Sequence, residues 1–337
     1  MHLYSVTPES TQPAGAPTFR ERLDTSAARC ESAGLTGILV PHNMHEVDPW
    51  MVASYLGSVT DRLIPLLAVQ PASTPPHTAA ACAAAYAALY DRPLHINLVA
   101  GAREDELRGI GDGLGHDERY DRLREYGTIL RSLLTGGTVD TDSTYYRYTR
   151  HRLVPCPEVL AQCRIFVAGS SPASLAAATG VADVVVTHPT PFAEWHDDFL
   201  APLLAAGYAG ELGIRIGILC RPDRAEAWRV AREQFPRSWI GRQETLLKTR
   251  SANSWSRELA VLAVAREAAS DDESDPYWLG AFHSGLASTP FLVGTYADVA
   301  ERLAHYMAAG VGHILLTGSR DDEFIHIQRG IRLATGG

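Results

Sequence analysis

Residues 34–71, GLTGILVPHNMHEVDPWMVASYLGSVTDRLIPLLAVQP, contain one complete strand–helix–strand repeat. TGILV (36–40) and LIPLLAV (63–69) are short, nearly continuous apolar runs of strand length, without the polar alternation of a half-solvated strand. Between them lies an amphipathic stretch that predicts a helix near 49–58. Strands joined through a helix, and not through a tight turn, belong to a parallel sheet.

The pattern recurs along the chain. Apolar runs at 2–6, 36–40, 63–69, 94–99, 164–168, 182–187, 212–219 and 312–317 alternate with helix candidates near 17–33, 49–58, 75–90, 117–135, 171–179, 192–206, 222–234 and 296–309, and a last helix follows Asp321. Eight such units predict an α/β chain closed into a single (β/α)8 TIM barrel over 1–337, in preference to a doubly wound open sheet. Helix starts are marked by Ser171 before Pro172, by Arg221 before Pro222, and by Asp117 and Glu118. Two segments break the repeat. Residues 138–155 (TVDTDSTYYRYTRHRLVP) predict a hairpin insertion, and 236–290 form an insertion between the seventh helix and eighth strand. The second is a lid candidate whose helical middle, near 253–268, runs into the acidic Asp271, Asp272 and Glu273.

Composition narrows the function. A formal charge of −9 over 337 residues lacks the basic footprint of a nucleic-acid or anionic-membrane protein. Cys30, Cys82, Cys156, Cys163 and Cys220 include no CxxC pair and read as reduced thiols. The start of the chain has no basic segment leading into an apolar one, and no long apolar run follows, so a cytoplasmic location is expected.

Barrel enzymes assemble their sites at the C-terminal ends of the strands, and here those ends are polar. They carry Ser5, His42 with Asn43, Gln70, Asn97, the triplet Gly169-Ser170-Ser171, His188 and Arg215. In Ala168-Gly169-Ser170-Ser171-Pro172 a strand ends in glycine and two hydroxyls and a helix starts with proline. The turn reads as a phosphate cradle or as an ordinary serine N-cap. His116 and Tyr120 share a helical face at i, i+4, either to pinch a phosphate or ribityl chain or simply as a solvated helix start.

The glycines at 109, 111, 113 and 115 do not make a dinucleotide fingerprint, and no GxSxG elbow is present. His42, His45, Glu46 and Asp48 lack a metal-binding spacing and read as a loop, so no metal is expected. Arg215 either binds an anion or completes an internal salt bridge. His188, Trp195 and His283 read as packing or loop residues.

In these residues the chain resembles the bacterial-luciferase-like flavin monooxygenases, nearest the alkanesulfonate monooxygenase branch. The carriers are GLTGILVPHN with VDPW, RLIPLLAVQP, HINLVAGAREDEL, HDERYDRLREY, VAGSSPAS, IRIGI and PFLVGTYADVAERLAHYMAAGV, in one order along nearly the whole chain. The resemblance implies a barrel in which reduced FMN (FMNH2) and O2 form a C4a-(hydro)peroxyflavin that oxygenates a small molecule. It implies that His116, Tyr120, Gly169, Ser170 and Ser171 hold the FMN phosphate and that Gln70 and Asn97 approach the ring or ribityl side.

It further implies a separate NAD(P)H:flavin reductase as partner and a homodimer or homotetramer. His42 is the expected acid/base residue and Arg215 the expected anion-binding residue of catalysis. The sulfonate branch has a cysteine after the second strand, a histidine at the position of Gly217 and an arginine near the last βα unit, none of which stands here. A natural-product pathway intermediate is therefore the expected substrate. An alkanesulfonate, or hydride transfer with F420 on the same barrel, are the alternatives.

Overall fold

A computed structural model describes residues 1–11, 15–101, 103–251, 253–267, 272–318 and 320–336; Asp271 of the acidic stretch lies outside them. The strands are β1 (His2–Val6), β2 (Gly37–Val40), β3 (Ile64–Val69), β4 (His95–Leu98), β5 (Thr138–Asp142), β6 (Arg147–Arg152), β7 (Ile165–Ala168), β8 (Val184–Thr187), β9 (Glu211–Arg221), β10 (Tyr277–Trp278), β11 (Phe291–Thr295) and β12 (Val311–Leu316). The main sheet runs β9-β12-β1-β2-β3-β4-β7-β8, and β8 bonds back to β9, so eight strands close the expected (β/α)8 barrel. β5 and β6 form a separate antiparallel pair.

All eight apolar runs are barrel strands, and most of them are buried on both faces and need no alternation. β11 was not expected as a strand. β9 is eleven residues long and forks: its first half pairs with β12, from Leu212↔Val311 to Ile216↔Leu316. Its second half pairs with β11, from Gly217↔Phe291 to Arg221↔Thr295. A five-residue strand outside the ring, directly before a helix, leaves no periodic signal of its own.

Helix starts follow local capping chemistry. Asp48 accepts from Met51 N at 3.1 Å and Pro49 begins the helix Pro49–Val59. Thr18 and Glu21 form a reciprocal capping box at Phe19–Ser32. The helix expected from Arg221-Pro222 starts later, at Arg224, because Asp223 is the cap and accepts from Glu226 N at 2.9 Å.

The chain divides into two compact units, Met1–Ser5 with Val186–Pro202 and Glu211–Gly337, and Val6–Val185 with Leu203–Gly210. The first has a core of Leu219, Trp228, Phe235, Trp278, Phe291 and Val293. It also carries the helices Trp239–Lys248 and Ser254–Ala265 of the 236–290 insertion. In the second, β2, β3, β4 and β7 are wholly or almost wholly buried beneath helices such as Pro76–Tyr90 and His116–Leu134. No helix among the described residues is long and apolar enough to cross a membrane.

Candidate functional site

In the unit that contains β2 to β7, the turn after β7 gathers the first group. Gly169 has φ near +153°, and a Cβ there would stand 2.6 Å from Ser174 Oγ and 3.1 Å from the Tyr120 hydroxyl. Only glycine allows this approach. Ser171 caps the helix Pro172–Val181, its Oγ accepting from Ser174 N at 3.2 Å, while Ser174 Oγ donates to the Ser171 carbonyl at 2.7 Å. The cap uses Ser171 Oγ as an acceptor and leaves its O–H as a donor.

Tyr120 reaches this turn from the neighbouring helix. Burial raises its phenol pKa, and its hydroxyl hydrogen-bonds the Ser174 side chain. It is thus a neutral donor at pH 7. One turn earlier, the His116 ring lies 5.1 Å from the Tyr120 ring, and its Nδ1 stands 2.6 Å from Asp117 Oδ1. The structure therefore joins His116, Tyr120, Gly169 and Ser171, with partly buried Ser170 between the last two, and adds Ser174. Ser174 was missed, although its spacing from Ser171 is that of a residue bonded to an N-cap.

The second group in this unit stands at the ends of β2, β3 and β4. His42 Nε2, Gln70 Oε1 and Asn97 Oδ1 are each buried without a hydrogen-bond partner among the described residues. An unmet buried polar atom costs about 1–3 kcal/mol. Three at successive strand ends make a cluster of unmet polar atoms in one unit.

Burial lowers the His42 imidazole pKa below its usual value, with the neighbouring Gln70 side chain a smaller, opposing influence. His42 is neutral at pH 7. The backbone crowds Gln70 from the other side: a Cβ on Gly101, with φ +94°, would lie 2.6 Å from Gln70 Nε2. In the nearby loop, Asp48 caps a helix, Glu46 accepts from Ser10 N, and His45 Nε2 stands 3.8 Å from Glu106.

The other unit holds the third group. Arg215 sits within β9 opposite Leu315, its Nε buried without a partner. Burial alone lowers its pKa, and no carboxylate contributes. The internal salt bridge is therefore corrected: Arg215 makes none among the described residues. His188, just past β8, stacks on Trp255 with ring centroids 3.9 Å apart and planes 11° from parallel. Its Nε2 is also buried and unpartnered, and burial, with the Arg215 charge second, holds its pKa well below the usual value.

His188 thus belongs with Arg215 and is not a packing residue alone. Trp195 and His283 are packing residues, the first against Tyr306 at 5.2 Å and the second with its Nε2 3.3 Å from the Ala263 carbonyl. Two residues beyond Arg215, a side chain at Gly217 would collide with the Phe291 ring.

The model of the luciferase-like monooxygenases matches residues 1–313. The chain belongs to the luciferase-like monooxygenase family. It is 35% identical over 318 residues to 4-(gamma-L-glutamylamino)butanoyl-[BtrI acyl-carrier protein] monooxygenase BtrO of Niallia circulans, covering 94% of this chain and 92% of that one. The fold is shared with EDTA monooxygenase (EmoA) from Chelativorans sp. BNC1, at TM-score 0.72 and 14% identity over 100% of this chain and 93% of that one. It is shared also with an F420-dependent secondary alcohol dehydrogenase, at TM-score 0.68 and 15% identity over 99% and 98%.

The luciferase-like monooxygenase is an enzyme of a flavin-dependent class that uses FMN or, in some members, F420. Its residues fit such a cofactor. The unmet polar atoms of His42, Gln70 and Asn97 suit a ring and chain rich in nitrogen and oxygen, and the glycine turn with its hydroxyls suits a phosphate.

Proposed function

We propose that this luciferase-like monooxygenase is the oxygenase of a two-component system, receiving reduced FMN from a separate NAD(P)H:flavin reductase. Reduced FMN supplies the electrons with which O2 is activated, so that one oxygen atom enters the substrate and the other leaves as water. The observation that carries the reading is the pairing of a phosphate-ready turn with three unmet polar atoms in one unit.

Ser170, Ser171, His116 and Tyr120 hold the phosphate through hydroxyls, an imidazole and the start of the helix Pro172–Val181. Gln70 and Asn97 orient the ring and ribityl chain. His42, held neutral by its surroundings, donates or accepts a proton at Nε2. Arg215 holds an anionic group of the substrate. The helices Trp239–Lys248 and Ser254–Ala265 act as a lid within their own unit, where Trp255 stacks on His188.

The substrate is a natural-product pathway intermediate carried on an acyl-carrier protein; the name of the Niallia relative gives that enzyme a 4-(gamma-L-glutamylamino)butanoyl group on such a protein. The helix Trp239–Lys248 supports this. It buries Gly241 and Thr245 and turns Trp239 (75% exposed), Ile240 and Leu247 outward, amid Arg237, Arg242 and Arg250. An exposed apolar strip of this kind suits the docking of a carrier domain. An alkanesulfonate is disfavoured because Phe291 fills the space beside Gly217.

A mixture of the chain, a flavin reductase, NADPH, FMN and 4-(gamma-L-glutamylamino)butanoyl-carrier protein under 18O2 tests the reading. Product carrying one labelled oxygen is expected. Conversion without flavin or without oxygen would contradict it.

A further inference from the structure

We propose that His2, Glu211 and His313 form a binding site for a divalent transition metal, zinc being the best match, at the N-terminal ends of β1, β9 and β12. All three residues belong to one compact unit, and the strands are neighbours in the order β9-β12-β1. Register sets the donors side by side. His2 is opposite His313, and His313 is opposite Gly213, two residues after Glu211, so Glu211 lies on the same face by strand alternation.

Gly213 gives the imidazole room, since a Cβ there would stand 3.2 Å from His313 Cβ. His313 is 1% exposed and is the fixed member, its Nε2 2.6 Å from Glu211 Oε2. The His2 ring stacks on it with centroids 4.7 Å apart.

One donor atom from each residue lies within 4.8 Å of the others. Two imidazoles and a carboxylate form a mixed nitrogen and oxygen set that suits zinc, cobalt or nickel, whereas magnesium and calcium prefer oxygen alone. Bonds of about 2.0–2.2 Å require the donors to draw in. His2 and Glu211 are exposed, so their side chains can close on the buried His313, with the His2 ring turning out of the stack.

The location indicates what the ion does. N-terminal strand ends lie on the barrel face opposite the catalytic one, where residues serve stability. An ion held here ties β1 to β12 and β9 in the sheet.

The test uses the untagged full chain, freed of metal with a chelator. It is titrated with Zn2+ by calorimetry and with Co2+ by visible absorbance, and melted with and without Zn2+. One Zn2+ per chain and a higher melting temperature are expected. His2→Ala and Glu211→Gln should each weaken binding by at least about tenfold and remove the temperature shift.

His77 and His151, with ring nitrogens 2.8 Å apart, form another histidine pair, so His151→Ala is the control and should leave binding unchanged. Unaltered FMN binding by His2→Ala reports that the variant is folded. Absence of saturable Zn2+ binding, binding that survives His2→Ala, or binding lost in His151→Ala would overturn the site.

Discussion

The Phe291 ring fills the space that any side chain on Gly217 would need, and the β9–β11 register places the two residues directly opposite. Gly217→Ala should therefore overpack the core of Leu219, Trp228 and Phe235 and cost about 1–3 kcal/mol. The urea midpoint measures this, and adding Phe291→Leu should recover part of the loss. Unchanged stability in the single variant would show that the ring yields without strain.

Acid should destabilise the protein through His188. Its folded-state pKa lies well below the usual value, whereas the unfolded chain protonates it near about 6.5. Below that pH the unfolded state binds the extra proton, so this contribution to stability is present above pH 6.5 and falls as pH drops toward the folded pKa. Melting temperatures between pH 5 and 8 should fall less steeply on the acid side in His188→Gln than in the parent. An identical slope in the two would remove His188 as the cause.

His42 and Arg215 should separate in kinetics. His42→Ala should leave substrate KM nearly unchanged but lower product per NADPH and raise hydrogen peroxide release, as expected for a group acting at the reacting atoms. Arg215→Met should chiefly lower kcat/KM for an anionic substrate, by about a hundredfold, with FMN affinity intact. Product, peroxide and NADPH measured together decide both cases.

Trp239→Ser should raise KM for a carrier-bound substrate at least about tenfold, because a largely exposed tryptophan has the character of a binding hot spot. KM for the same acyl group on free pantetheine should not move. Equal effects on the two would place Trp239 in the lid and not in carrier docking.

The barrel was readable because its strands are buried on both faces and appear as apolar runs, as in TGILV and LIPLLAV. β11 was not, since its partner is the far half of β9 and pairing leaves no mark on either run. The turn at Gly169 could be found because phosphate binding and N-capping call for the same residues; the structure shows Ser171 as the cap and brings Tyr120 to it.

The stacking of His188 on Trp255 could not be found, because it joins a strand end to a distant insertion. The choice between two roles for Arg215 likewise needed its surroundings, in which no carboxylate appears among the described residues.

The most direct test of the central claim is an equilibrium titration of the purified chain with FMN, riboflavin and F420, repeated in Tyr120→Phe. Hydrogen bonds to charged groups contribute about 1.5–3 kcal/mol, so FMN should bind at least about tenfold tighter than riboflavin, and the variant should narrow that gap without weakening riboflavin. F420 should bind more weakly than FMN. Equal affinity for FMN and riboflavin, or preference for F420, would contradict the account.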